Sequence, residues 1–141
     1  MVIIDNRDWE KELQEKYPQL LKQIYLECGE GWKEVIENMC EQILTHEAFL
    51  KDSGVNVVDF EDEVTDEDDY CSVRIVQVKQ KFGGLRVYYD GGNNIIRNIV
   101  NEAEEKALTV CEYCGSKDNV KLRKRNSWLY TGCDKHDSTK Y

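Results

Sequence analysis

Two short pairs of metal-binding side chains near the C-terminus constrain this chain more than any other feature. Cys111-Glu112-Tyr113-Cys114-Gly115 places two thiols two residues apart, and Cys133-Asp134-Lys135-His136 repeats the separation with a thiol and an imidazole. Thiolate and imidazole are donors that Zn²⁺ prefers, and two such pairs complete a tetrahedron. Gly115 lets the backbone turn beneath the ion. Residues 120–125 and 128–131 are β-like runs flanking Asn126-Ser127, which predicts the hairpin of a zinc ribbon or treble-clef finger. The expectation is one structural Zn²⁺ on Cys111, Cys114, Cys133 and His136. Four protein ligands leave no position for water, so the metal is not expected to be catalytic.

The other three cysteines, Cys28, Cys40 and Cys71, are scattered singly. The first two fall among helix-like apolar positions, where a free thiol behaves as a small hydrophobe. Met1 to Ile4 is a short apolar run followed at once by Asp5, Arg7 and Asp8, unlike a signal peptide. No stretch reaches the roughly 20 apolar residues of a membrane span. These features set the expectation of an unexported, cytoplasmic chain with reduced thiols and no membrane partner, in which clustered cysteines bind metal.

Apolar spacing divides the remainder. Asp8 is placed to open a helix carrying Trp9, Leu13 and Tyr17, and Pro18 to begin another with Leu20, Leu21, Ile24, Tyr25 and Cys28, closed by Gly29 and Gly31. Trp32, Val35, Ile36, Met39, Cys40, Ile43, Leu44 and Leu50 recur at helical spacing up to Ser53-Gly54. The period then changes. Residues 55–60 read as a strand, and 61–69, seven acids in nine, as a solvated or partner-facing loop. Residues 71–81 and 85–89 predict a hairpin turning through Phe82-Gly83-Gly84. After Gly91-Gly92-Asn93, a last helix carries Ile95, Ile96, Ile99, Val100, Ala103 and Ala107 on one face. The predicted class is α+β, helices packed on a small antiparallel sheet. Residues 1–109 form an acidic body, and residues 110–141 a zinc module docked on it.

Charge separates the two parts. Residues 1–109 hold 12 Lys and Arg against 24 Asp and Glu, net −12; residues 110–141 hold 7 against 4, net +3; the total is −9. The body therefore disfavours a phosphate backbone, while the tail leaves a local exception. Lys121, Arg123, Lys124 and Arg125, with Trp128 and Tyr130, form a candidate nucleic-acid face, or a solvated hairpin tip. Lys79, Lys81 and Arg86 bracket Phe82-Gly83-Gly84, where glycine amides flanked by cations suit a phosphate or nucleotide-like ligand. A simple turn explains the same residues. The Cys-x-Tyr-Cys-Gly start also occurs in HNH nucleases, but that chemistry needs more histidines than His46 and the zinc-committed His136.

The chain resembles a family of small, largely uncharacterised bacteriophage and prophage proteins. The resemblance is carried by Tyr17-Pro18, Glu27-Cys28-Gly29-Glu30-Gly31-Trp32, the run from Val76 through Lys79-Gln80-Lys81-Phe82-Gly83-Gly84-Leu85-Arg86, Ala103-Glu104, the Cys111 and Cys133 motifs, Trp128 and Thr131. Residues 58–69 look like an insertion relative to shorter members. The resemblance implies a mobile-element origin, a host-cell cytoplasmic location and a metal site, and no named activity. The expected function is binding rather than catalysis: a host protein or a small nucleotide-like ligand is engaged, as counter-defence proteins do. A nucleic-acid-associated zinc ribbon and an HNH-like metal-dependent nuclease are the alternatives.

Overall fold

The computed structural model describes residues 8–58 and 69–136. Helix α1, Asp8–Lys16, turns Trp9 and Leu13 inward at four-residue spacing and also buries Glu10. Pro18 then sits in the first turn of α2, Pro18–Leu21, where its missing N–H costs nothing. Leu20 and Leu21 are buried there.

The second helix is much shorter than its apolar stripe predicts. The chain leaves α2 and forms a two-residue strand β1, Leu26–Glu27. Leu26 is fully buried, and its N–H donates to the buried Glu10 carboxylate at 2.6 Å. Extending the helix would have turned Tyr25 inward; instead it is 79% exposed. A buried charge that accepts a backbone donor and a strand that pairs with the sheet outweigh one more turn of local helix.

Helix α3, Lys33–Asp52, follows a 3-10 turn at Glu30–Trp32 and matches its predicted extent, ending where Gly54 takes φ 88°. It buries Val35, Ile36, Met39, Cys40 and Ile43, each large aliphatic contributing roughly 1.5–3 kcal/mol. Of the strand expected over residues 55–60, Val57–Val58 forms β2; residues 59–60, and 61–68 of the acidic loop, lie outside the described residues. β2 pairs in parallel with β3, Tyr70–Cys71. The run expected over 71–81 is therefore broken. The Val73 N–H and the Tyr70 hydroxyl both donate to the buried Glu47 carboxylate, at 2.8 Å each, which turns the chain between β3 and β4, Arg74–Lys81.

β4 and β5, Gly84–Asp90, form the predicted hairpin, with Lys81 opposite Gly84. The main sheet has the order β1-β4-β5. β1 runs parallel to β4, so the sheet is mixed, and the antiparallel expectation is corrected. Asn93 caps α4, Asn94–Ala107, its Oδ1 accepting from the N–H groups of Ile95 and Ile96. α4 packs on α3 and β5 through Ile96, Ile99, Val100, Ala103 and Ala107; Ile95, expected on that face, is half exposed. Strands β6, Lys121–Arg125, and β7, Trp128–Gly132, form a separate antiparallel hairpin, with Asn126 at φ 55° in its turn. The protein thus combines helices with small sheets and a C-terminal Cys/His cluster. Among the described residues no helix is long and apolar enough to cross a membrane.

Candidate metal centre

The loop after α4 folds back on itself. Gly115 N–H donates to the Cys111 carbonyl at 2.9 Å, and Gly115 adopts φ 78°, which aims Cys111 and Cys114 at one point. From the other side, a 3-10 turn at Asp134–His136 returns His136 over Cys133, with His136 N–H donating to the Cys133 carbonyl. The donor atoms of Cys111, Cys114, Cys133 and His136 all lie within 4.8 Å of one another. This is the set of four that the sequence singles out, and the structure brings all of it together.

The separations test whether a metal fits. Cys111 Sγ lies 3.4 Å from His136 Nδ1, Cys133 Sγ lies 3.5 Å from the same nitrogen, and Cys114 Sγ lies 3.6 Å from Cys133 Sγ. Bonds of about 2.3 Å to sulfur and about 2.0 Å to nitrogen in a tetrahedron put neighbouring donors roughly 3.5–3.8 Å apart. A disulfide would need about 2.05 Å between sulfurs. The spacing is that of a metal cradle. Burial pushes the Cys133 thiol up, but hydrogen bonds to His136 and Cys114 outweigh it and bring the thiol down to about 6, toward the thiolate a metal requires.

A buried arginine braces the cradle. Arg123 Nε donates to the Gly132 carbonyl at 2.8 Å, beside Cys133. Its Nη2 donates to the Asn119 carbonyl at 3.1 Å and to Asp134 Oδ1 at 3.2 Å. Asp134, between the two C-terminal ligands, also accepts from Asn119 Nδ2. Tyr130 is buried and its hydroxyl donates to the His136 carbonyl at 2.6 Å. Of the candidate nucleic-acid residues, then, Arg123 and Tyr130 are turned inward. Trp128 is 59% exposed, and Lys121, Lys124 and Arg125 are also exposed.

Glu112, between the first two ligands, joins the cradle to the rest of the chain. Its carbonyl accepts from Gly31 N–H at 2.7 Å and its N–H donates to the Thr131 carbonyl. Its carboxylate accepts from Gly29 N–H at 3.0 Å and from Gln80 Nε2 at 3.3 Å. Burial raises the Glu112 carboxyl above its ordinary range, against the lowering effect of those two donors. Trp32 is fully buried, and its indole N–H is shared between the Ala107 and Val110 carbonyls. A Cβ on Gly29 would strike the Glu112 carbonyl, and one on Gly31 the backbone of Cys111 and Glu112. These glycines therefore do not end a helix, as their spacing predicts; they admit the metal loop against the backbone. Sequence reasoning missed this contact and the Arg123 brace. The signal available was two glycines flanking an acid immediately before a core tryptophan.

The second candidate site is altered in the same way. Gly83 and Gly84 are buried, so the glycine amides expected to face a phosphate lie beneath protein. The Gly83 carbonyl accepts from Thr131 Oγ1 at 2.6 Å, and Gln80 Nε2 donates to the Leu129 carbonyl, docking the β4–β5 turn on β7. Lys79 Nζ rests over the Tyr88 ring, Lys81 Nζ over the Phe82 ring, and Arg86 Nη1 donates to the Leu85 carbonyl. His46 is half-buried, with Nε2 3.1 Å from Asn93 Nδ2 and its ring edge-on to Tyr70. Among the described residues, no other group of three or more His, Cys, Asp or Glu comes together as a metal cradle. Comparison with protein-family models, curated proteins and solved structures finds no match.

Proposed function

We propose that the protein binds one Zn²⁺ through Cys111, Cys114, Cys133 and His136, that the ion is structural, and that the protein acts by binding a partner rather than by catalysis. The donor spacing carries the reading: three thiols and one imidazole lie within 4.8 Å of one another, three of the pairs at 3.4–3.6 Å, and together would fill the four positions of a tetrahedral ion. When bound, zinc supplies a cross-link between two loops 19 or more residues apart in sequence. The chain's own residues do the rest. Arg123 fixes the second ligand pair, and Glu112 transmits the position of the first to Gly29, Gly31 and Gln80.

The resemblance to phage proteins adds the expectation that the partner is a host protein. A nucleotide-like ligand is less well supported, because Gly83 and Gly84 are buried. Elemental analysis of purified protein should give one zinc per chain, and Cys111→Ser or Cys133→Ser should give none. Chelation should lower Tm, because binding is coupled to folding of the loop. His136→Cys should keep metal and fold, since a thiolate takes the same corner. A fully folded metal-free protein melting at the same temperature would falsify the structural-zinc reading, and Mg²⁺- or Mn²⁺-dependent cleavage of DNA or RNA would overturn the non-catalytic one.

A further inference from the structure

Sequence reasoning treats the β4–β5 turn and the β6–β7 hairpin as rival binding sites, yet they lie side by side. Thr131 bonds the Gly83 carbonyl, and a Cβ on Gly83 would strike Leu122 Cδ1. Leu108 Cδ2 would lie 3.8 Å, and Arg86 Nη1 3.3 Å, from a Cβ on Gly84. Phe82, Leu122 and Leu108 are 73%, 54% and 50% exposed. Three large apolar side chains from three elements therefore surround one turn. Lys81 stands over Phe82, Arg86 lies on the Leu108 side, and Lys124 shares the strand face of Leu122.

Phe82 also occupies a backbone position that folding does not favour. It adopts φ 52° and Gly83 φ 86°, the pair of positive angles that a two-residue hairpin turn requires. Asn is favoured at the first of these positions, whereas a bulky side chain there is a strained outlier. An exposed ring adds little burial in return. A strained, solvent-facing aromatic beside two exposed leucines calls for an explanation outside the fold.

We propose that Phe82, Leu108 and Leu122, rimmed by Lys81, Arg86 and Lys124, form a docking face for an acidic protein segment that seats a large apolar residue on Phe82. An apolar centre within a charged rim is the anatomy of a protein interface. Charge selects the partner: residues 79–86 hold three cations and no acid, and the neighbouring hairpin exposes Lys117, Lys121, Lys124 and Arg125 against Asp118, in a chain of net −9. Two of the carboxylates nearby are engaged, Glu104 with the Val87 N–H and Glu112 beneath the turn, while Glu105, one turn before Leu108, is exposed at the rim. A nucleic acid fits less well. Two of the three apolar groups are aliphatic and offer no ring for base stacking, and the acidic body repels a polyanion. The inference rests on the binding reading above and deepens it by naming the surface and the partner's chemistry.

Selection of a random twelve-residue peptide library on zinc-loaded, full-length protein tests it. Winning peptides should be net negative with at least one large apolar residue. Phe82→Asn keeps or improves the turn, so Tm should hold or rise while affinity for those peptides falls tenfold or more. Lys81→Glu with Arg86→Glu should weaken the same peptides at least tenfold, and added salt should weaken wild-type binding. The proposal is overturned if no peptide is enriched, if Phe82→Asn binds the winners as tightly as wild type, or if labelled dT20 binds more tightly than they do. Zinc content and cleavage assays run separately, so failure here leaves the metal reading standing, and its failure would show there first.

Discussion

At the scale of single residues, several side chains do something other than their type suggests. Arg123 sits in a run of four cations among five residues, and its strand position alone turns it inward. Once buried, its guanidinium has to be matched, and the Gly132 and Asn119 carbonyls with Asp134 supply three acceptors. Replacing Arg123 with Leu leaves the buried Gly132 carbonyl without its donor, while the exposed Asn119 and Asp134 acceptors turn to water, and should cost about 1–2 kcal/mol in urea unfolding of the metal-loaded protein. Lys121→Ala, on an exposed neighbour, should stay within about 0.5 kcal/mol. Equal effects would mean that Arg123 acts as a surface cation after all. Gly31 makes the complementary case: Gly31→Ala drives a methyl into the Cys111–Glu112 backbone and should cost about 1–3 kcal/mol or more, read by the same unfolding curve. The clustering of Cys111, Cys114, Cys133 and His136 was legible because their chemistry is local, two pairs with fixed spacing. Arg123 and Gly31 were not, because what each touches lies far along the chain or depends on strand parity within a short hairpin.

Elements were legible in proportion to their length. Helices α3 and α4 span 20 and 14 residues, enough turns for the apolar period to declare itself, and both lie where the sequence places them. Asn93→Ala should remove the α4 cap and cost about 1 kcal/mol, while Asn93→Asp should retain most of it, as thermal unfolding can show. Strands β1, β2 and β3 have two residues each, too few for any period. β1 exists because β4, some fifty residues later, offers an edge, with Leu26 opposite Val78. Its pairing is parallel, and nothing in a pair of residues announces that. The hairpins β4–β5 and β6–β7 were readable through their turns, although Phe82 rather than Gly84 carries the second positive φ.

For the molecule as a whole, the metal loop, the 3-10 turn before α3 and the β4–β5 turn are held to one another by hydrogen bonds through Glu112, Gln80 and Thr131. Trp32 anchors this junction from the core side. The binding face proposed above is assembled at the same junction, so an intact metal centre is expected to be a condition for partner binding as well as for stability. Stripping the metal should therefore abolish peptide binding at temperatures where α3 and α4 remain folded by far-UV circular dichroism. Both expectations depend on a closed, four-ligand centre. X-ray absorption at the zinc edge of the purified full-length protein tests it most directly. A closed centre gives a first shell of three sulfurs at about 2.3 Å and one nitrogen at about 2.0 Å, with no oxygen. A shell with fewer than three sulfurs, or with a water oxygen completing the sphere, would contradict it.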